Sequence, residues 1–147
     1  RYCNGGADCS ESDLEAKCCM PFLNVSGPVF RPTDDELRLG IKAWLRDAES
    51  AEANLGPIGT WDTSQITDMS RLFAGSSTFN DDLSAWNTSG VTNMSSMFFG
   101  AIAYTGNDMS GWDTSLVTDM SSMFEWATDF AGLSIAGWDT SRVTDMS

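Results

Sequence analysis

Aspartate recurs along this 147-residue chain at a fixed interval. Asp62, Asp113 and Asp139 form one column, with Asn87 in the remaining place; Asp68, Asp119 and Asp145 form a second, with Asn93. If repeats stack, equivalent carboxylates lie about 5 Å apart. Uncompensated neighbours of that kind repel, and at least one pKa rises. Either each Asp accepts backbone N–H groups, as N-caps and Asx turns do, or a hard cation bridges them, Ca²⁺ being the one that prefers carboxylate oxygens. Asn caps as well as Asp, and it stands in the series twice, which favours the turn reading. We therefore expect no metal site and no cofactor, with a Ca²⁺ ladder on the six aspartates as the alternative.

Other residue types in the series offer less chemistry. The threonines of one column, Thr67, Thr92, Thr118 and Thr144, and of another, Thr63, Thr88, Thr114 and Thr140, could order water as an ice-binding face does. Hydrogen bonding between repeats is the commoner use of such rows. Trp61, Trp86, Trp112 and Trp138 invite sugar stacking, but a Trp in the same place of every repeat is more often core. Trp126 breaks the pattern, since its counterparts are Ala74-Gly75-Ser76 and Phe99-Gly100-Ala101. It is the candidate contact residue. The chain has no histidine, no cysteine beside a base and no phosphate-cradling glycine loop, so we read it as non-enzymatic.

All four cysteines, Cys3, Cys9, Cys18 and Cys19, fall in the first nineteen residues. An even, clustered set in a loop-like stretch reads as two disulfides in an oxidising compartment. The rival zinc reading lacks paired C-x-x-C spacing and histidine. Sequons at Asn24, Asn87 and Asn93 point the same way, toward a secreted glycoprotein. The net charge of −13 excludes nucleic acid and anionic membrane surfaces as partners, since both demand basic patches. Residues 61–147 carry eleven acids against Arg71 and Arg142. No apolar run is long enough for a membrane span.

These residues must be positioned by repeats. The phrase W-D-T-S-x-[I/V]-T-D-M-S starts at Trp61, Trp86, Trp112 and Trp138, at spacings of 25, 26 and 26. A period of this size signals stacked structural units. Apolar columns recur in register: the Trp set, Ile66/Val91/Val117/Val143, Met69/Met94/Met120/Met146, then Phe73/Phe98/Phe124 and Phe79/Tyr104/Phe130. The β-branched [I/V]-T-D-M stretch predicts a short strand, and S-x-[L/M]-F a short helix. Upstream, Thr33-Asp34-Asp35-Glu36 is a capping box that opens a helix over about 33–52, with Leu37, Ile41, Trp44, Leu45 and Ala48 on one face. The expected organisation is a cysteine-rich, disulfide-stapled segment at 1–30, an N-terminal capping helix and lead-in at 31–60, and a repeat array at 61–147, divided 61–85, 86–111, 112–137 and a partial 138–147. The fold class is an α/β solenoid: a leucine-rich-repeat-like stack of 25–26-residue coils, each a short strand plus a short helix, behind the capping helix. The last, partial coil suggests a piece of a longer protein.

The W-D-T-S-x-V-T-D-M-S-x-M-F block, followed by F-N-x-D-L-S-x-W, resembles the BspA-like leucine-rich-repeat surface proteins of bacteria and microbial eukaryotes. Trp61–Ser147 carries the resemblance, and the R-P-T-D-D-E-L helix looks like the lead-in of such arrays. The resemblance implies an extracellular or cell-surface protein that acts in adhesion or matrix binding, without catalytic residues. Repeat three departs from it, with Ala131-Gly132-Leu133-Ser134 where repeat one has Asn80-Asp81-Asp82-Leu83. The functional expectation is a secreted structural or adhesion module, whose partners are other surface proteins or further copies of itself in a filament. A glycan- or Ca²⁺-binding recognition module is the alternative, with ice binding a minor one.

Overall fold

A computed structural model describes residues 29–147. The two α-helices of the described residues precede the repeats. Helix α1 spans Asp34–Arg46 and α2 spans Ala48–Leu55. Thr33 caps α1 reciprocally: its hydroxyl accepts from the Glu36 N–H, and the Glu36 carboxylate accepts from the Thr33 N–H at 2.9 Å. The single helix expected over 33–52 is interrupted at Asp47, whose extended backbone ends α1. The Asp47 carboxylate then starts α2 by accepting from the Ser50 N–H, which costs less than leaving four amides without partners. Leu37, Ile41, Trp44, Ala51 and Leu55 are buried, whereas Leu45 and Ala48, expected on the same face, are exposed.

The α/β solenoid is overturned, and with it the leucine-rich-repeat geometry. Among the described residues the repeats hold no extended strand, no sheet and no α-helix. What the sequence suggests as a strand contributes one parallel bridge position per repeat: Asp68 to Asn93, Asn93 to Asp119, Asp119 to Asp145. The expected short helix is a series of turns instead. The cause is a left-handed residue at the same place in each repeat, Arg71 (φ 57°), Ser96 (φ 54°) and Ser122 (φ 51°). A left-handed residue turns the chain out of both helical and extended paths.

Turns nevertheless lie in register on turns, joined by backbone hydrogen bonds. Between the first two repeats, Thr92 N–H donates to Thr67 O, Met69 to Asn93, Arg71 to Ser95, Phe73 to Met97 and Gly75 to Phe99. The same set links repeats two and three through Thr118, Met94, Ser96, Phe98 and Gly100. Side chains reinforce it. Thr63, Thr88 and Thr114 are buried and donate their hydroxyls to Asn87 O, Asp113 O and Asp139 O at 2.9–3.0 Å. Each Trp indole N–H reaches back to a carbonyl: Trp86 to Ile58, Trp112 to Leu83 and Trp138 to Met109. No buried side-chain polar atom lacks a partner among the described residues.

Aromatic columns fill the interior. Phe73, Phe98 and Phe124 stack across repeats at 5.4 and 5.6 Å. Each also stacks within its own repeat, on Phe79 at 4.1 Å, Tyr104 at 4.0 Å and Phe130 at 3.8 Å. The two 26-residue repeats absorb their extra residue at Gly106 and Gly132, both left-handed. At Gly106 a β-carbon would also sit 2.2 Å from the Phe130 ring. Gly106→Ala is therefore expected to cost about 2–3 kcal/mol, from the left-handed penalty and the overpacked ring together. Urea unfolding would measure it, and a loss under about 0.5 kcal/mol would show that the turn adjusts freely.

Candidate functional site

The two aspartate columns are accounted for by turns. Asp62 Oδ1 accepts from Ser64 N–H at 3.1 Å, Asp68 from Ser70 at 2.8 Å, Asp113 from Ser115 at 3.0 Å, Asp119 from Ser121 at 2.9 Å, Asp139 from Ser141 at 2.9 Å and Asp145 from Ser147 at 3.0 Å. Asn87 and Asn93 make the same bond to Ser89 and Ser95 and accept the serine hydroxyl as well. Each is an Asx turn, with the side chain standing in for a backbone carbonyl. Among the described residues no three Asp or Glu side chains converge as a cation would need. Asn87 lies on an exposed turn and Asn93 is half-buried in the bridge column. Asn24 and the four cysteines lie outside the described residues.

These hydrogen bonds set the titration. Bonds from Ser64, Ser115 and Ser141 hold the Asp62, Asp113 and Asp139 carboxyls below the ordinary range, and Ser147 does so for Asp145. At Asp68 burial pushes upward, but Ser70 and the Arg38 guanidinium outweigh it and the net shift is down. A carboxyl lowered by folding contributes stability that is complete above its unfolded pKa, about 3.9, and is lost as pH falls through the folded value. The urea midpoint should be flat from pH 7 to 5 and fall below about pH 4. A midpoint unchanged at pH 2.5 would mean the Asx bonds add nothing to stability.

The edge before the first repeat is sealed by α1. In later repeats the Thr amide donates to the Thr of the repeat before. At Thr67 the Asp34 carboxylate takes that role, accepting from Thr67 N–H at 2.9 Å and from its hydroxyl at 2.8 Å. Likewise Asn93 O and Ser95 O accept from the preceding repeat, and their equivalents Asp68 O and Ser70 O accept from Arg38 at 3.4 and 2.6 Å. Arg38 also pairs with the Asp68 carboxylate at 3.0 Å. One helix thus supplies both the acceptor and the donors of an absent repeat. The opposite end is apolar: a cavity of about 350 Å³ under the last repeat is lined by Met120, Met123, Phe124, Ile135, Trp138 and Met146. These belong to columns that earlier repeats bury.

Trp126 is the outlier of the surface. It occupies the place of Gly75 and Gly100, which are left-handed (φ 74° and 65°), and it adopts the same conformation at φ 61°. A bulky L-residue there costs about 1–2 kcal/mol. Packing does not return that cost, since the residue is 68% exposed. Its indole N–H donates to Glu125 Oε1 at 3.1 Å, and Glu125 Oε2 accepts from the Ser122 hydroxyl at 2.6 Å. By contrast the Trp61, Trp86 and Trp112 rings are buried and present no stacking platform. The Thr67 column faces outward, with the Thr92, Thr118 and Thr144 hydroxyls bonded to the carbonyl of the repeat before.

Residues 41–147 match the model of a family described as Mycoplasma protein of unknown function, DUF285. No curated protein and no solved structure matches the chain.

Proposed function

The chain belongs to the DUF285 family, and from that premise we propose that it is a non-enzymatic surface module of the BspA-like kind, secreted and displayed for adhesion or for building an extracellular assembly. One observation carries the reading. The abundant Asp, Asn, Ser and Thr of the repeats are bonded to backbone, repeat upon repeat, as the material of the scaffold. Residues spent in this way leave the outer face to carry recognition. That is how arrays of short repeats commonly work. The cysteine cluster and the sequons add support, since disulfides persist in oxidising compartments. Partners in this reading are other surface proteins or further copies of the chain.

The test is chemical. Intact mass of the native protein, with and without glycosidase and reductant, should show glycan mass and a gain of four protons on reduction. A membrane-impermeant amine reagent should also label it on intact cells. A bare, fully reduced chain that escapes labelling would place it inside the cell and end the surface reading.

A further inference from the structure

We propose that the Trp126 surface binds arginine or lysine side chains of a basic polypeptide, with the cation on the indole face and paired to Glu125. The inference concerns the chemistry of the purified chain and holds whichever compartment the protein occupies. Three observations carry it. First, Trp126 sits in a left-handed position that the two preceding repeats fill with glycine, yet the residue is 68% exposed. A strained residue that packing does not require points to a role outside the fold. Second, the backbone on either side is fixed to the repeat before, Gly100 N–H donating to Glu125 O at 2.8 Å and Asp129 N–H to Ile102 O at 3.1 Å. Ile102, whose carbonyl takes the second of those bonds, is itself 48% exposed. The ring is therefore carried on a rigid base. Third, the Glu125 carboxylate is held at the indole edge by Trp126 and Ser122, with lone pairs remaining for a further donor.

The choice among ligands follows from charge. A sugar ring could stack on the indole and donate hydroxyls to Glu125, but a neutral sugar gains no long-range attraction from the surrounding acids. Residues 61–147 hold only Arg71 and Arg142 against eleven acids, in a chain of net charge −13. Such a field draws cations toward the surface and speeds their encounter. Trp is the best ring for a cation, and a guanidinium can stack on it while its edge pairs with a carboxylate.

Titration calorimetry with hexa-arginine in 0.15 M salt tests this on the wild-type chain, Trp126→Gly and Glu125→Gln, with a citrulline hexapeptide and maltohexaose as uncharged probes. Trp126→Gly is expected to raise the melting temperature and to weaken hexa-arginine binding roughly 2- to 30-fold. Glu125→Gln should weaken it with the ring in place, and the citrulline peptide should bind none of the three chains. Equal hexa-arginine affinity in wild type and Trp126→Gly would reduce the interaction to diffuse charge and overturn the proposal. Maltohexaose binding that is lost in Trp126→Gly would reassign the surface to glycans. A lowered melting temperature in Trp126→Gly would make the residue a packing element, which also ends the proposal.

Discussion

Phe98→Ala is expected to lower the unfolding free energy by about 3–5 kcal/mol, a large part of a small domain's margin. Phe98 is fully buried and stacks on three rings at once: Phe73 at 5.4 Å, Tyr104 at 4.0 Å and Phe124 at 5.6 Å, with interplanar angles of 6°, 6° and 3°. Such pairs add about 0.5–1.5 kcal/mol beyond the area they bury. The position matters as much as the contacts. Repeats touch mainly their neighbours, so a hole in the middle repeat weakens the interface on either side of it. The unfolding transition should broaden as well as shift, because the first and third repeats lose their common support. Phe124→Ala should cost less, since Phe124 is only partly buried. Equilibrium urea unfolding followed by tryptophan fluorescence measures both. Equal costs for the two variants would show that the stacked column does not act through the central ring.

Arg38→Ala is expected to cost about 2 kcal/mol and to expose a sticky edge. Hydrogen bonds from a charged donor contribute about 1.5–3 kcal/mol. The ion pair with Asp68 adds little, because its two side chains are 31% and 42% exposed. The larger consequence lies in Asp68 O and Ser70 O, which lose their donor once the guanidinium is gone. A row of unpaired backbone groups invites pairing with another chain. Arg38→Lys should recover less than half of the loss, since an ammonium cannot fork between two carbonyls as a guanidinium does. Concentration-dependent light scattering of Arg38→Ala beside wild type reads the edge, and urea unfolding reads the cost. A variant as stable and as monodisperse as wild type would show that water replaces Arg38 without penalty.

Much of the interior is legible from the repeats alone. A column such as Ile66, Val91 and Val117 announces burial because each copy repeats the same apolar choice, and all three are buried. The capping box at Thr33 and Glu36 is readable for a local reason, since both partners lie within one turn. Secondary structure is where propensity misleads. The β-branched stretch before each Met looks like a strand, yet the left-handed Arg71, Ser96 and Ser122 bend the chain after each bridge position. Nothing in an arginine or a serine advertises a positive φ. At Trp126 the signal was available, because Gly75 and Gly100 hold the same place and glycine is the residue that tolerates that conformation. The capping helix is expected from sequence, but the bonds by which its Asp34 and Arg38 seal the edge leave no trace there. Those bonds join residues thirty or more positions apart, from a segment with no period to one that has it.

Because every repeat hands the next the same donors and acceptors that it receives, one unit can be duplicated or deleted without redesigning its neighbours. Each added unit moves the far end outward by about 5 Å, the spacing of hydrogen-bonded backbones, while the helix at the sealed edge is left untouched. The molecule is in that sense a ruler, whose graduations are set by the Asx and Thr bonds and whose reach can be adjusted in single steps.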